Sequence, residues 1–253
     1  MSSITVALTV FTVVFGGALV GIALRSVLPE HHLSPESREI VKLSIGLIAT
    51  MTALVLGLLV GSVKSSFDSK NEEFNRICSN LVVFDRTLAQ YGPETKDIRV
   101  RLSLAVTARS EQLTERKTNR VTKDDAYTNM LALEQLQSGV RALQPASEGQ
   151  RELKDRAMAV STQIIAARWH LLGGVASSVP VPFLVVVVIW LAIIFLSFGL
   201  FAPSNSTVIA ALFLAAISVA GALFLILEMD RPFDGLIHLS DVPLQHAAQF
   251  IGR

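Results

Sequence analysis

The sequence predicts an all-α membrane protein with four transmembrane helices and a helical cytoplasmic domain inserted between the second and third. Three observations predict it. Apolar residues make up 51% of the 253 positions and charged residues only 17%, against about 25% charge in an ordinary soluble domain. The deficit is local, since residues 179–227 contain no Asp, Glu, Lys, Arg or His. Four apolar runs also recur at one length, at residues 4–24, 43–63, 181–201 and 207–227. As helices they are each about 31 Å long, the thickness of a bilayer's hydrocarbon core. Backbone polar groups find no water there, so each run must satisfy its hydrogen bonds internally as a helix.

The first run is closed by Arg25. A signal peptide is the competing reading, but residues 1–5 carry no Lys or Arg and the run is long for such a segment. The second run is bracketed by Lys42 and Lys64. Pro180 and Pro182 precede the third and separate it from the helix before. Asn205-Ser206-Thr207 precedes the fourth. It matches a glycosylation sequon, but reads first as Asn205 capping the N-terminus of a helix.

These runs divide the chain into residues 1–63, 64–178, 179–227 and 228–253. Near the membrane, Lys64, Lys70, Arg76, Arg168 and Arg231 fall on one side. Arg25, Arg38 and Lys42 fall on the other. The excess of basic residues places the 64–178 segment and both termini in the cytoplasm.

The 64–178 segment has 17 basic and 14 acidic residues, a net of +3. Phe67, Phe74, Leu81 and Leu88 recur every seven residues, with Ile77 and Cys78 on the same face. This extends the second span as a long helix, which Gly92-Pro93 ends. A second stripe runs through Ile98, Leu102, Ala105, Arg109 and Leu113. A third runs through Met130, Leu133, Leu136, Val140 and Leu143, up to Pro145. A fourth carries Leu153, Ala157, Val160, Ile164, Ala167 and Leu171. Such stripes bury one helix face against neighbours. Two local expectations follow. Gly92 takes a positive φ as a C-cap, with Glu94 charging the start of the next helix. Asp85, beside the apolar face, pairs with Arg99 or Arg101.

No catalytic residue is identified and no enzyme is expected, for the sequence holds no glycine-rich phosphate loop, metalloprotease motif or nucleophile elbow. The overall charge of +1 suggests no nucleic acid. The single cysteine, Cys78, excludes an intrachain disulfide and reads as a small buried residue. No cofactor is expected. His31 and His32 are adjacent and would point apart on a helix, so Glu30 and Glu36 beside them do not complete a metal site. Trp169-His170 reads as part of an interfacial aromatic belt. Glu228, Asp230 and Asp234 are weak metal candidates. They would serve equally in ion pairs with Arg231 or with basic residues of the 64–178 segment.

The second span carries a stripe of small residues, Gly46, Thr50, Ala53, Gly57 and Gly61, that leads to Lys64. Close helix packing is the commoner use of such a stripe. A pore wall is the other use. The fourth span has a similar stripe, Ala211, Ala215, Ser218 and Ala222, read as packing.

Three stretches carry a family resemblance: residues 57–68, residues 80–94 and residues 228–235. They include Asp85, Arg86, Tyr91, Gly92, Pro93 and Glu94, then Arg231, Pro232, Phe233, Asp234 and Gly235. Together they resemble the bacterial bestrophin-like domain membrane proteins over nearly the whole chain. Resemblance to true bestrophins, which are pentameric anion channels, is weaker. It implies a homo-oligomer in the bacterial inner membrane, inorganic ions as partners, and a pore lined by the second span. This chain departs from that pattern at Asp230-Arg231, in lacking a dense acidic run, and in having no aromatic residue at 43–63. The expected function is therefore a homo-oligomeric, weakly anion-selective channel. The alternative is a membrane-anchored structural or signalling module acting through the helical domain.

Overall fold

The computed structural model describes residues 2–29, 34–115, 123–173, 179–203, 205–230, 237 and 239–252, and side chains among these except at 113–132 and 172–173. The described residues are helical, with no strand among them. In order the helices are α1 (Ser3–Arg25), α2 (Pro35–Tyr91), a 3₁₀ turn (Pro93–Thr95), α3 (Lys96–Glu115), α4 (Lys123–Ala142), α5 (Glu148–Gly173), α6 (Val181–Phe201), α7 (Ser206–Met229) and α8 (Val242–Phe250). Helices α1, α2, α6 and α7 are long and apolar enough to cross a membrane. The 57 residues of α2 make about 85 Å of continuous helix. The chain divides into two compact units, Met1–Phe67 with Ser177–Arg231 and Asp68–Ala176 with Pro232–Arg253.

In the first unit, α1 packs on α6 and α7. Ser2 caps α1 by accepting from the Thr5 N–H at 3.2 Å, and Asn205 caps α7 by accepting from the Val208 N–H at 2.9 Å. Pro180 starts α6 at the residue the sequence marks. The α1–α6 contact is backbone against backbone. A Cβ on Gly17 would lie 3.2 Å from the Ala192 carbonyl oxygen, one on Gly21 would overlap the Leu196 carbonyl, and one on Gly199 would overlap the Ala18 carbonyl. Without a hydrophobic drive between helices in lipid, such close approach is what holds them. Phe11 and Phe15 stack at 5.7 Å, and Phe213 of α7 meets both edge-on at 5.5 and 5.4 Å. The Arg25 guanidinium donates to the Ala202 carbonyl, and Arg38 lies 5.6 Å over the Phe201 ring.

Among the described residues of the single chain, the fourth-span stripe is not the buried face. Ala211, Ala215, Ser218 and Ala222 are exposed, while Leu212, Ala216, Ala220 and Leu223 are buried. Alanine is abundant on both faces of α7, so small size does not mark the buried one.

The second unit has a separate apolar core. Helix α2 contributes Ile77, Cys78, Leu81, Phe84 and Leu88, and α3 contributes Leu102 and Val106. Leu136 and Val140 come from α4, and α5 contributes Ala157, Val160, Ile164, Ala167 and Leu171. The α3 stripe expected through Ala105 and Arg109 is turned by one position, because Leu102 and Val106 are the larger apolar pair. Leu244, Ala247 and Ile251, from α8 and the residue after it, complete this core, so residues 242–252 are a folded part of the helical unit.

Candidate functional site

Two places hold the candidate residues, one in each unit. The first is the α2 face bearing Gly46, Thr50, Ala53, Gly57, Gly61 and Lys64. All six are exposed. No described heavy atom lies within 4 Å of a Cβ built on Gly46, Gly57 or Gly61. Packing within the chain therefore does not explain this stripe. Buried positions on the same helix, Ile45, Thr52, Leu59 and Val63, lie on a different face. Thr50 and Thr52 satisfy their hydroxyls by donating to the carbonyls of Leu47 and Ile48. The Lys64 ammonium lies 6.0 Å from the Phe67 ring centroid.

The second place is the corner where α2 ends. Asp85 is fully buried. Its partner is Arg99, whose Nε donates to Oδ1 at 2.9 Å and whose Nη2 donates to Oδ2 at 3.1 Å. The fork holds two planar groups in one geometry. It raises the Arg99 pKa above its ordinary value, chiefly through the hydrogen bond to Asp85. The Gly252 N–H is a third donor, 3.3 Å from Oδ2. Arg86, exposed on the next position, donates through Nη2 to the Phe250 carbonyl at 3.4 Å.

The same corner terminates α2. Gly92 has φ +133°, a conformation that L side chains rarely adopt. A Cβ there would also lie 2.6 Å from the Glu94 carboxylate. The helix-end carbonyls are satisfied by side chains. Thr95 donates to the Leu88 carbonyl at 2.6 Å and to that of Gly92 at 2.8 Å, and the Gln150 amide donates to the Tyr91 carbonyl at 3.0 Å. Pro93 and Glu94 lie exposed in the 3₁₀ turn, and Glu94 is an acid in its first turn. The Tyr91 hydroxyl is buried with no hydrogen-bond partner among the described residues.

Glu228 and Asp230 are buried at the end of α7 and each is engaged in an interaction. Asp234 lies outside the described residues, as do Arg231, Pro232, Phe233 and Gly235, and Glu30, His31 and His32. Among the described residues no three His, Cys, Asp or Glu side chains come together as a metal site would require. Sequence reasoning missed Thr95, Gln150 and Gly252, which act through one atom each. It also missed Gly17 and Gly21, although their four-residue spacing is a recognisable sign of close helix approach.

Four apolar helices with lipid-length spans make this a multi-pass membrane protein. Within that class, a bestrophin-like domain model matches residues 12–244, and the chain belongs to the Bestrophin-like family. No curated protein and no solved structure matches it.

Proposed function

We propose that the protein is a homo-oligomeric channel of the bacterial inner membrane, with the 43–63 part of α2 lining its pore. The observation that carries this reading is the small-residue face of α2, Gly46 to Gly61, on whose glycines a Cβ would meet no atom of another described element. Glycine on a lipid-facing helix surface gives up dispersion contacts and gains nothing. On a face turned to an axis or to another copy it makes room. Family membership supports the same reading. The excess of Lys64, Lys70 and Arg76 on one side supports an orientation with the helical unit and both termini in the cytoplasm.

In a symmetric assembly Lys64 becomes a ring of ammonium groups at the cytoplasmic mouth. Such a ring concentrates anions and opposes cations, while small apolar walls select weakly. Planar-bilayer recording of the purified protein tests this. Currents should be weakly anion-selective, and less so as salt screens the ring. Lys64→Glu should move the reversal potential toward cations, and Lys70→Glu should move it less. Current with unchanged selectivity in Lys64→Glu removes Lys64 from the mouth. Silence under varied voltage, calcium and pH favours a structural or signalling module, a reading that the separate, well-packed core of the helical unit supports.

A further inference from the structure

Two rows of exposed side chains run along the 43–63 span of α2. Gly46, Thr50, Ala53, Gly57 and Gly61 form the small row. Leu43, Leu47, Met51, Leu54 and Leu58 form a bulky one, 51–71% exposed. At about 100° per residue the middles of the rows stand about 80° apart around the helix. Bulky apolar side chains keep their dispersion contacts in lipid tails, so the bulky row is the one suited to lipid. The lysines that flank the span side with the small row. Lys42 and Lys64 are both exposed. They lie about 60° and 20° from the middle of the small row, and about 140° and 100° from the middle of the bulky one. A lysine that only snorkels to the membrane surface has no reason to choose one side of its helix. At the outer end, an open hollow of about 680 Å³ is lined by Pro35, Arg38, Glu39, Lys42 and Leu43, all of α2. Resting on the channel reading of α2, we propose that Lys42 is a second selectivity residue, at the mouth opposite Lys64, so that the pore carries a cationic ring at each end.

The two rings act independently. From 42 to 64 the helix advances 22 residues, about 33 Å. That is about four Debye lengths at physiological ionic strength, so neither ring sets the potential at the other. Each lysine has an acid about one turn further out along the helix, Glu39 on one side and Asp68 on the other. The lysines are therefore the innermost charges at both ends. Like charges at the two mouths admit the same ions from either side, so current in symmetric salt is nearly equal at opposite voltages. Opposite charges at the two mouths fill the pore with ions at one polarity and empty it at the other, so current rectifies. Reversing one lysine turns the first case into the second, and reversing both returns a symmetric pore that prefers cations.

The test is single-channel recording of the full chain carrying Lys42→Cys and Lys64→Cys. Cys78, the one native cysteine, is replaced by Cys78→Ala so that only the new thiols react, and Cys78→Ala alone gives the baseline. A membrane-impermeant methanethiosulfonate bearing a sulfonate is added to one chamber and then to the other. The first addition should make current at one polarity at least roughly twofold that at the other. The second should abolish the rectification and, in a salt gradient, move the reversal potential toward cations. An ammonium-bearing reagent in place of the sulfonate should return the baseline selectivity, which controls for damage by the substitutions. In Lys42→Cys alone, the sulfonate should act from one chamber and not from the other. Suppose Lys64→Cys responds, while Lys42→Cys, shown by mass to be modified, conducts as before. Lys42 then lies outside the conduction path, and the second ring falls while the channel reading stands. Silence of the baseline chain and of both variants removes the channel reading, and the second ring with it.

Discussion

The two units hold their helices together by different means. In the first, α1 and α6 meet backbone to backbone, and Gly21 and Gly199 are glycines because nothing larger fits, while a Cβ on Gly17 would crowd the Ala192 carbonyl. In the second, α2, α3 and α5 share one core of bulky side chains such as Phe84, Leu102 and Ile164, beside a fork between the buried Asp85 and Arg99. For the lipid-length apolar helices the means of contact has a physical reason. Lipid gives apolar side chains no reason to prefer one another, so contact area must come from close approach. Water expels them, so bulk at the interface is enough. The comparison also isolates the glycines of α2. They have the spacing of a close-contact stripe, and a Cβ on them would meet nothing among the described residues, which is why the channel reading rests on them.

The largest effect is expected at the fork. Arg99→Met leaves the Asp85 carboxylate buried with only the Gly252 N–H, and should cost about 3–5 kcal/mol of stability in the helical unit. Adding Asp85→Leu should return most of that loss, because a buried pair replaced by apolar groups of similar size is often neutral. A single variant that melts like wild type would mean the fork is solvated and the comparison between the units is drawn too sharply.

Next is the glycine contrast itself. Gly21→Val forces the α1 and α6 backbones apart and should cost about 1–3 kcal/mol, the usual range for overpacking. Gly57→Val meets no described atom and should leave the stability of the single chain near wild type. Equal damage from the two substitutions, measured by thermal melting in detergent, would erase the distinction between used and unused glycines.

Smaller again is Gly92→Val. With φ +133° and Glu94 against the new Cβ, the loss should be roughly 1–2 kcal/mol. An unchanged melting temperature would remove the strained-corner reading. The smallest is Tyr91→Phe. It deletes a buried hydroxyl with no partner among the described residues, so stability should hold or rise by up to about 1 kcal/mol. A clear loss would show that the hydroxyl is hydrogen-bonded after all.

How far these features were legible depends on how many residues carry each signal. The third span agrees with α6 at both ends because Pro180 and a charge-free run mark it unambiguously. Asp85 beside an apolar face pointed to Arg99 or Arg101, which stand with Lys96 just across the Gly92 corner. Helix α8 was not legible. Nine residues with Leu244 and Ala247 give barely two turns of periodicity, and Pro243 reads as a breaker although it sits in the first turn. The α1–α6 interlock was missed because a helix apolar on every side has no amphipathic phase, leaving only Gly17 and Gly21 to mark the contact face. The buried face of α7 was not legible for the same reason, with alanines on both faces. The α3 stripe slipped by one position because Ala105 and Val106 are adjacent and either fits an apolar periodicity.

Single-particle imaging of the purified protein in lipid nanodiscs tests the central claim most directly, because it shows what faces the unoccupied side of α2. The account predicts a closed ring of identical chains around an axial opening, with Gly46, Ala53, Gly57 and Gly61 turned to the axis and Lys64 at one mouth. A monomer with that face in lipid would contradict it, and so would an assembly in which those glycines are buried against a partner helix with no opening on the axis.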